Sequence, residues 1–224
     1  MIIIGHRGAR GLAPENTLLG IKKGLEHGVD EIECDLRVTK DHVVILHHNK
    51  YLRDPSGRHL RISEHTYKEL VEHKPDLATF EQAIDTLNRR RPLYVEVKSD
   101  EPTGPIIKVI RHYLDDGWQP YDFRLASFSL KILTALRKAL PTLPLVVNES
   151  WSGVRASHRA RKLRATRISM NARWLWSGYV WATTRGGHEL VAFTVNNPNK
   201  ALTWQRYGLS GVVTDYPDRF QKKS

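Results

Sequence analysis

The chain has 224 residues, 26% charged and 40% hydrophobic, which is enough to bury one well-packed core and excludes a disordered chain. With 35 Lys and Arg against 24 Asp and Glu, the net charge of +11 favours acidic partners, whether nucleic acid, an anionic membrane or a phosphorylated small molecule. The single cysteine, Cys34, excludes an internal disulfide, and no stretch approaches the roughly 18 apolar residues of a membrane span.

The chain opens "MIIIGHRGARGLAPENTLLG". Ile2, Ile3 and Ile4 are β-branched and apolar on both faces, as in a strand covered on both sides. No basic flank precedes this short run, so it is not read as a signal peptide, and the expected location is the cytoplasm. Gly5 and Gly8 bracket His6 and Arg7, as in a loop where backbone approaches something closely. Pro14-Glu15 suits the first turn of a helix. His6 and Arg7 are thus placed at the carboxyl end of a buried strand, where α/β sheets carry their chemistry.

In "DEIECDL" (30–36), Glu31, Glu33 and Asp35 share one face of a strand and Ile32, Cys34 and Leu36 the other. The apolar trio should face helices, which makes Cys34 a buried, inert thiol. A polar turn, Thr39-Lys40-Asp41, leads to "VVILHH" (43–48), which reads as a strand extension or hairpin followed by an insertion at 50–76. Along it Val44, Leu46 and His48 share a face. "PLYVEVK" (92–98) places Tyr94, Glu96 and Lys98 together, opposite Val95 and Val97.

Further β-rich runs lie at 122–128, 143–148, 165–171, 189–196 and 210–216, separated by stretches with helical spacing such as "SLKILTALRKAL". Eight strands alternating with helices predict a (β/α)₈ TIM barrel, one domain over 1–224 with a short insertion at about 42–76 after the second strand. Asn148 and Asn196 end two of the runs and could touch substrate. Residues 150–167 carry Arg155, Arg159, Arg161, Lys162, Arg164 and Arg167 with no acid, and Trp174, Trp176 and Trp181 follow. No nucleic-acid motif frames this stretch. The favoured expectation is a solvated helix face beside tryptophans that fill barrel–helix packing.

Carboxylates pointing into a barrel need compensation. Glu33 and Asp35 form half of a site for a hard cation, Glu96 can complete three carboxylates for Mg²⁺ or Ca²⁺, and Lys98 offers a point charge to a phosphate. A buried ion-pair network of Glu33, Asp35, Glu96, Lys98 and Arg7 is the other reading of the same residues. His6 and His48 add two imidazoles, a set suited to phosphoryl chemistry in which a base activates a nucleophile and an acid protonates the leaving oxygen.

His6-Arg7-Gly8, Pro14-Glu15-Asn16-Thr17, Glu33-x-Asp35, the strand ending at His48 and Glu96-x-Lys98 together resemble the glycerophosphodiester phosphodiesterase family. Ser127-Phe128, "VAFTVN" (191–196) and "GVVTDYP" (211–217) extend the resemblance over nearly the whole chain. It implies hydrolysis of glycerophosphodiesters, small-molecule substrates, to glycerol 3-phosphate and an alcohol, with Ca²⁺ or Mg²⁺ as cofactor. By similarity Glu33, Asp35 and Glu96 would bind the metal, His6 and His48 would be the acid–base pair, and Arg7 and Lys98 would hold the phosphate. Glu15 would orient His6 or the metal ligands. In the usual family scheme a glycerol hydroxyl attacks phosphorus and water opens the cyclic phosphate. Asn49 departs from the pattern, in which Asp usually follows the histidine; the amide keeps an acceptor and loses the charge that supports an imidazolium. Two alternatives are a catalytically dead barrel binding anionic partners through its basic face and a lysophospholipase D in peripheral contact with a membrane. No nucleic-acid partner is expected.

Overall fold

Every one of the eight predicted runs forms a strand. The computed structural model describes residues 1–220 and begins β1 (Ile2–Gly5), α1 (Leu18–Glu26), β2 (Glu31–Val38), β3 (Val44–Leu46), β4 (Tyr51–Arg53), β5 (His59–Arg61), α2 (Tyr67–His73), α3 (Phe80–Leu87) and β6 (Leu93–Val97). It continues α4 (Thr103–Asp115), β7 (Phe123–Ser127), α5 (Leu130–Ala139), β8 (Leu145–Glu149), α6 (Gly153–Leu163), β9 (Arg167–Asn171), α7 (Ser177–Arg185), β10 (Glu189–Phe193), α8 (Pro198–Arg206) and β11 (Gly211–Thr214).

β1, β2 and β6 to β11 pair in parallel, and β1 closes the ring by pairing with both β2 and β11. The fold is therefore a (β/α)₈ barrel. β3 lies outside the ring, antiparallel to β2, with Leu36 opposite Leu46. After it the β4–β5 hairpin and α2 cover a small core of Ile45, Leu52, Leu60, Ile62, Leu70 and Leu77.

The period-two pattern sorts the strands' side chains. Ile32, Cys34, Leu36, Val95 and Val97 join the layer between barrel and helices. Ile4, Tyr94, Ala126, Val146, Val191 and Val213 fill the interior. At the amino end of the strands Arg167 is buried: its Nη1 and Nη2 donate to Glu31 at 2.6 and 3.0 Å, and its Nε donates to Glu189 at 2.8 Å. Arg124 Nε donates to Glu31 as well, at 2.6 Å. Glu31 thus shares a face with Glu33 and Asp35 but serves as an internal anchor far from the barrel mouth.

Three expectations need correction. Arg167 opens an inward-facing strand position, so it does not belong to the basic surface. Helix α1 starts at Leu18 rather than at Pro14-Glu15, because Asn16 takes the left-handed conformation (φ 56°) and Thr17 supplies the cap, accepting from Gly20 N at 3.1 Å. Trp174, Trp176 and Trp181 are exposed rather than packed between barrel and helices. Among the described residues no helix is long and apolar enough to cross a membrane.

Candidate active site at the carboxyl end of the barrel

The loop after β1 is shaped by its glycines. A Cβ on Gly5 would lie 2.1 Å from the Gly8 carbonyl oxygen, and one on Gly8 (φ 88°) would strike the Gly20 backbone at 2.5 Å. The chain therefore folds tightly over the barrel rim, and Arg7 (φ 49°) turns so that its N–H donates to Glu33 Oε2 at 2.8 Å.

Strand register brings the carboxylates together. Asp35 on β2 stands beside Glu96 on β6, with Glu33 two residues earlier on the same face. One oxygen from each of Glu33, Asp35 and Glu96 lies within 4.8 Å of the others. Lys98 Nζ donates to Asp35 Oδ1, and to Glu96 Oε1 at 2.5 Å. Arg7 Nε pairs with Asp35 Oδ2 at 3.1 Å and is buried without a hydrogen-bond partner, while Arg7 Nη1 donates to Glu15 at 2.8 Å. Both sequence readings of these five residues thus describe one cluster, with two cations facing three acids.

The electrostatics follow from burial. Burial first, then the charges of Asp35 and Glu96, push Glu33 well above the ordinary carboxyl range. Burial also raises Glu96, and Lys98 offsets it only in part. Burial opposes the charge of Asp35 too, but Lys98 and Arg7 hold it down at about 2. An all-oxygen donor set of crowded carboxylates, two of them short of positive charge, fits a hard divalent cation.

Each histidine has one nitrogen committed. His6 Nδ1 bonds Asp215 Oδ1 at 2.6 Å. Asp215 Oδ2 accepts from Asn196 Nδ2 at 2.8 Å, and the Asp215 N–H donates to Asn196 Oδ1 at 2.8 Å. Burial opposes the charge on Asp215, but the bonds from His6 and Asn196 bring it below its ordinary value. His48 Nδ1 bonds Asn49 Oδ1 at 2.9 Å, and burial, opposed by Asp35 and aided by Lys98 and Arg7, holds its imidazole below the ordinary value. His48 and Lys98 line a cleft of about 540 Å³ with Arg37, Asn49, Lys50 and Tyr51. His47 instead turns its Nδ1 to the Asn49 carbonyl at 2.8 Å.

Glu15 pairs with Arg7 and, at 3.6 Å, with Arg10; it touches neither His6 nor the carboxylates, so its expected orienting role runs through Arg7. The group that orients His6 is Asp215, which sequence reasoning missed. Asn16 is a second omission: its Nδ2 donates to Asp35 Oδ2 at 2.9 Å and its Oδ1 accepts from the Asp35 N–H at 3.1 Å. Asn148 and Asn196 bond protein carboxylates, Glu96 at 3.0 Å and Asp215. A carboxylate directly after the last strand was the available signal, since ring closure sets that strand beside the first.

Residues 6–219 match the glycerophosphoryl diester phosphodiesterase family. A glycerophosphodiester phosphodiesterase of Bacillus subtilis is 28% identical over 99% of this chain and 86% of its own length. One from Caldanaerobacter subterraneus is 25% identical over 97% of this chain and 95% of its own. Among solved structures, an Oleispira antarctica phosphodiesterase in complex with its product sn-glycerol-3-phosphate superposes with a TM-score of 0.87, 24% identity and coverage of 99% and 95% of the two chains. A glycerophosphodiester phosphodiesterase from Thermotoga maritima gives 0.80, 22%, and 98% and 96%.

Proposed function

The chain belongs to the glycerophosphoryl diester phosphodiesterase family, and on that footing we propose that it hydrolyses glycerophosphodiesters to glycerol 3-phosphate and an alcohol at the carboxyl end of the barrel. The observation that carries this reading is the convergence of three carboxylates within 4.8 Å of one another, beside two histidines with one ring nitrogen each left for chemistry.

Glu33, Asp35 and Glu96 would hold a divalent cation, Ca²⁺ or Mg²⁺. When bound, such a cation supplies Lewis acidity, lowering the pKa of a hydroxyl and neutralising phosphate charge. Lys98 neutralises Asp35 and Glu96 in the structure; with a cation held by the carboxylates, its ammonium would be left to bind a phosphate oxygen. Arg7 presents its guanidinium to the same anion, held in place by Glu15.

The tautomers are set by the partners on Nδ1. Asp215 Oδ1 accepts from the His6 Nδ1–H, so His6 works through Nε2; the same holds for His48, whose Nδ1–H donates to Asn49 Oδ1. One imidazole removes the proton of a glycerol hydroxyl as its oxygen attacks phosphorus. The other delivers a proton to the departing alcohol oxygen as the P–O bond breaks. Water then opens the cyclic phosphate with the roles reversed, and the protons balance.

The test is release of glycerol 3-phosphate from glycerophosphocholine by protein stripped with EDTA and then resupplied with Mg²⁺ or Ca²⁺. Turnover should vanish on stripping and return with the cation; full activity in chelator overturns the metal role.

A further inference from the structure

From Ser150 to His188 the chain contains no Asp or Glu and eight Lys or Arg. The same stretch holds four of the six tryptophans, and all four are exposed, Trp151 at 68% and Trp176 at 65%. We propose that the surface formed by α6, α7 and the loops at their amino ends is a docking surface for an anionic lipid bilayer.

Topology places its aromatic end at the barrel mouth, from which α6 and α7 run back along the flank toward the amino end of the strands. Trp151 follows β8 directly, and Trp174 and Trp176 lie between β9 and α7, at the end of the strands that also carries Glu96 and His6. The Trp151 and Trp174 rings sit 5.8 Å apart, joining the two loops into one aromatic surface. Val154, 83% exposed in the first turn of α6, extends it with an aliphatic side chain. Between α6 and α7 runs a groove of about 390 Å³ lined by Val154, Tyr179, Ala182, Trp176 and Arg161.

Charge and aromaticity occur together here. Arg161, Arg173 and Arg185 have no carboxylate partner among the described residues, and the Arg185 guanidinium sits 4.5 Å over the Trp181 ring. Arg155 is largely spent on Glu149, at 2.6 Å. A contiguous exposed apolar surface on a soluble fold marks an interaction site. Indole rings settle at the headgroup level of a bilayer, where one edge is wet and the face is apolar, and guanidinium groups pair with lipid phosphates. A nucleic acid would stack on the rings but gains nothing from an exposed valine beside an apolar groove, so the lipid surface is the better match. Docked this way, the barrel rests its α6–α7 flank on the membrane, with the Trp151–Trp174 end of that flank beside the catalytic mouth.

Co-sedimentation of the full chain with phosphatidylcholine vesicles, and with mixed phosphatidylcholine–phosphatidylglycerol vesicles, tests this, with a fluorescent DNA duplex as competitor. The protein should bind the anionic vesicles at least about tenfold more tightly than the neutral ones, since each basic residue near the surface contributes roughly fivefold. The variant Trp151→Ala/Trp174→Ala should lose about tenfold, from the apolar area withheld from the interface. Arg161→Gln/Arg185→Gln should lose on the order of twentyfold. Both variants should turn over soluble glycerophosphocholine as the parent does, so a failure of docking is separable from a failure of the catalytic reading. No preference for anionic vesicles overturns the proposal. So does vesicle binding that the tryptophan variant retains in full, or a duplex that displaces the vesicles and binds with the same tryptophan dependence.

Discussion

Replacing Asp215 by Asn should damage the site more than removing its side chain altogether. In the structure Asn196 Nδ2 donates to Asp215 Oδ2, and Asp215 Oδ1 accepts from His6 Nδ1. Asn196 is itself fixed, because its Oδ1 accepts from the Asp215 N–H and from Thr214 Oγ1. In Asp215→Asn the Asn196 donor therefore holds the new amide oxygen at the Oδ2 position and turns the amide NH₂ onto His6 Nδ1. That nitrogen must then be unprotonated, which moves the neutral ring's proton to Nε2, the atom that has to accept one. It also opposes the imidazolium, which would face the amide donor to donor. Loss of a charge-assisted hydrogen bond alone is about 1.5–3 kcal/mol, or roughly 10- to 100-fold, and this is the expected cost of Asp215→Ala. The inverted tautomer should bring Asp215→Asn to a loss on the order of 10³–10⁴ in kcat. Adding Asn196→Ala frees the amide to flip and should recover part of the activity. The assay is glycerol 3-phosphate release across pH for the three variants. Asp215→Asn within about threefold of the parent, or milder than Asp215→Ala, refutes the reasoning.

His48→Ala should cost about a hundredfold or more in kcat and His47→Ala little, the usual scale for a general acid or base; reversed effects would exchange their roles. Asn49→Asp sets a carboxylate on His48 Nδ1, raises its pKa, and should move the acid limb of kcat/KM to higher pH wherever His48 must be neutral; an unmoved or lowered limb contradicts that placement. Arg167→Ala leaves Glu31 buried with only Arg124 as partner, which should cost about 3 kcal/mol, and the calorimetric Tm should fall by roughly 6–12 °C. An unchanged Tm would show that the internal anchor contributes nothing. Burial pushes the Cys34 thiol well up, so the native protein should resist a thiol reagent that labels it at once after unfolding.

The barrel was legible because its strands are apolar and β-branched, and because Glu33, Asp35, Glu96 and Lys98 break that pattern at period two. Their meeting needed one further fact, the register that sets Asp35 beside Glu96, which alternation within each strand does not give. What stayed hidden depends on closure of the ring. His6 and Asp215 are 209 residues apart and meet only because β1 pairs with β11. Asn16 reads as a helix-entry residue until its left-handed backbone swings its amide back onto Asp35. Arg167 belongs by sequence to a basic run, yet its strand parity points it into the barrel toward Glu31. The tryptophans failed for a different reason. Large aromatics are core residues by default, whereas Trp174, Trp176 and Trp181 stand exposed in the loop after β9 and on α7.

The most direct test follows glycerophosphocholine by phosphorus-31 NMR with the parent protein and with Glu33→Gln, in excess Mg²⁺ or Ca²⁺. Glu33 is raised by burial and then by its acidic neighbours, and among the described residues its carboxyl accepts only from the Arg7 N–H, so the amide should leave circular dichroism and Tm intact. The parent should convert the diester signal to glycerol 3-phosphate while the folded variant shows no conversion. Formation of glycerol 3-phosphate by Glu33→Gln at the parent's rate would contradict the assignment of the reaction to the three carboxylates.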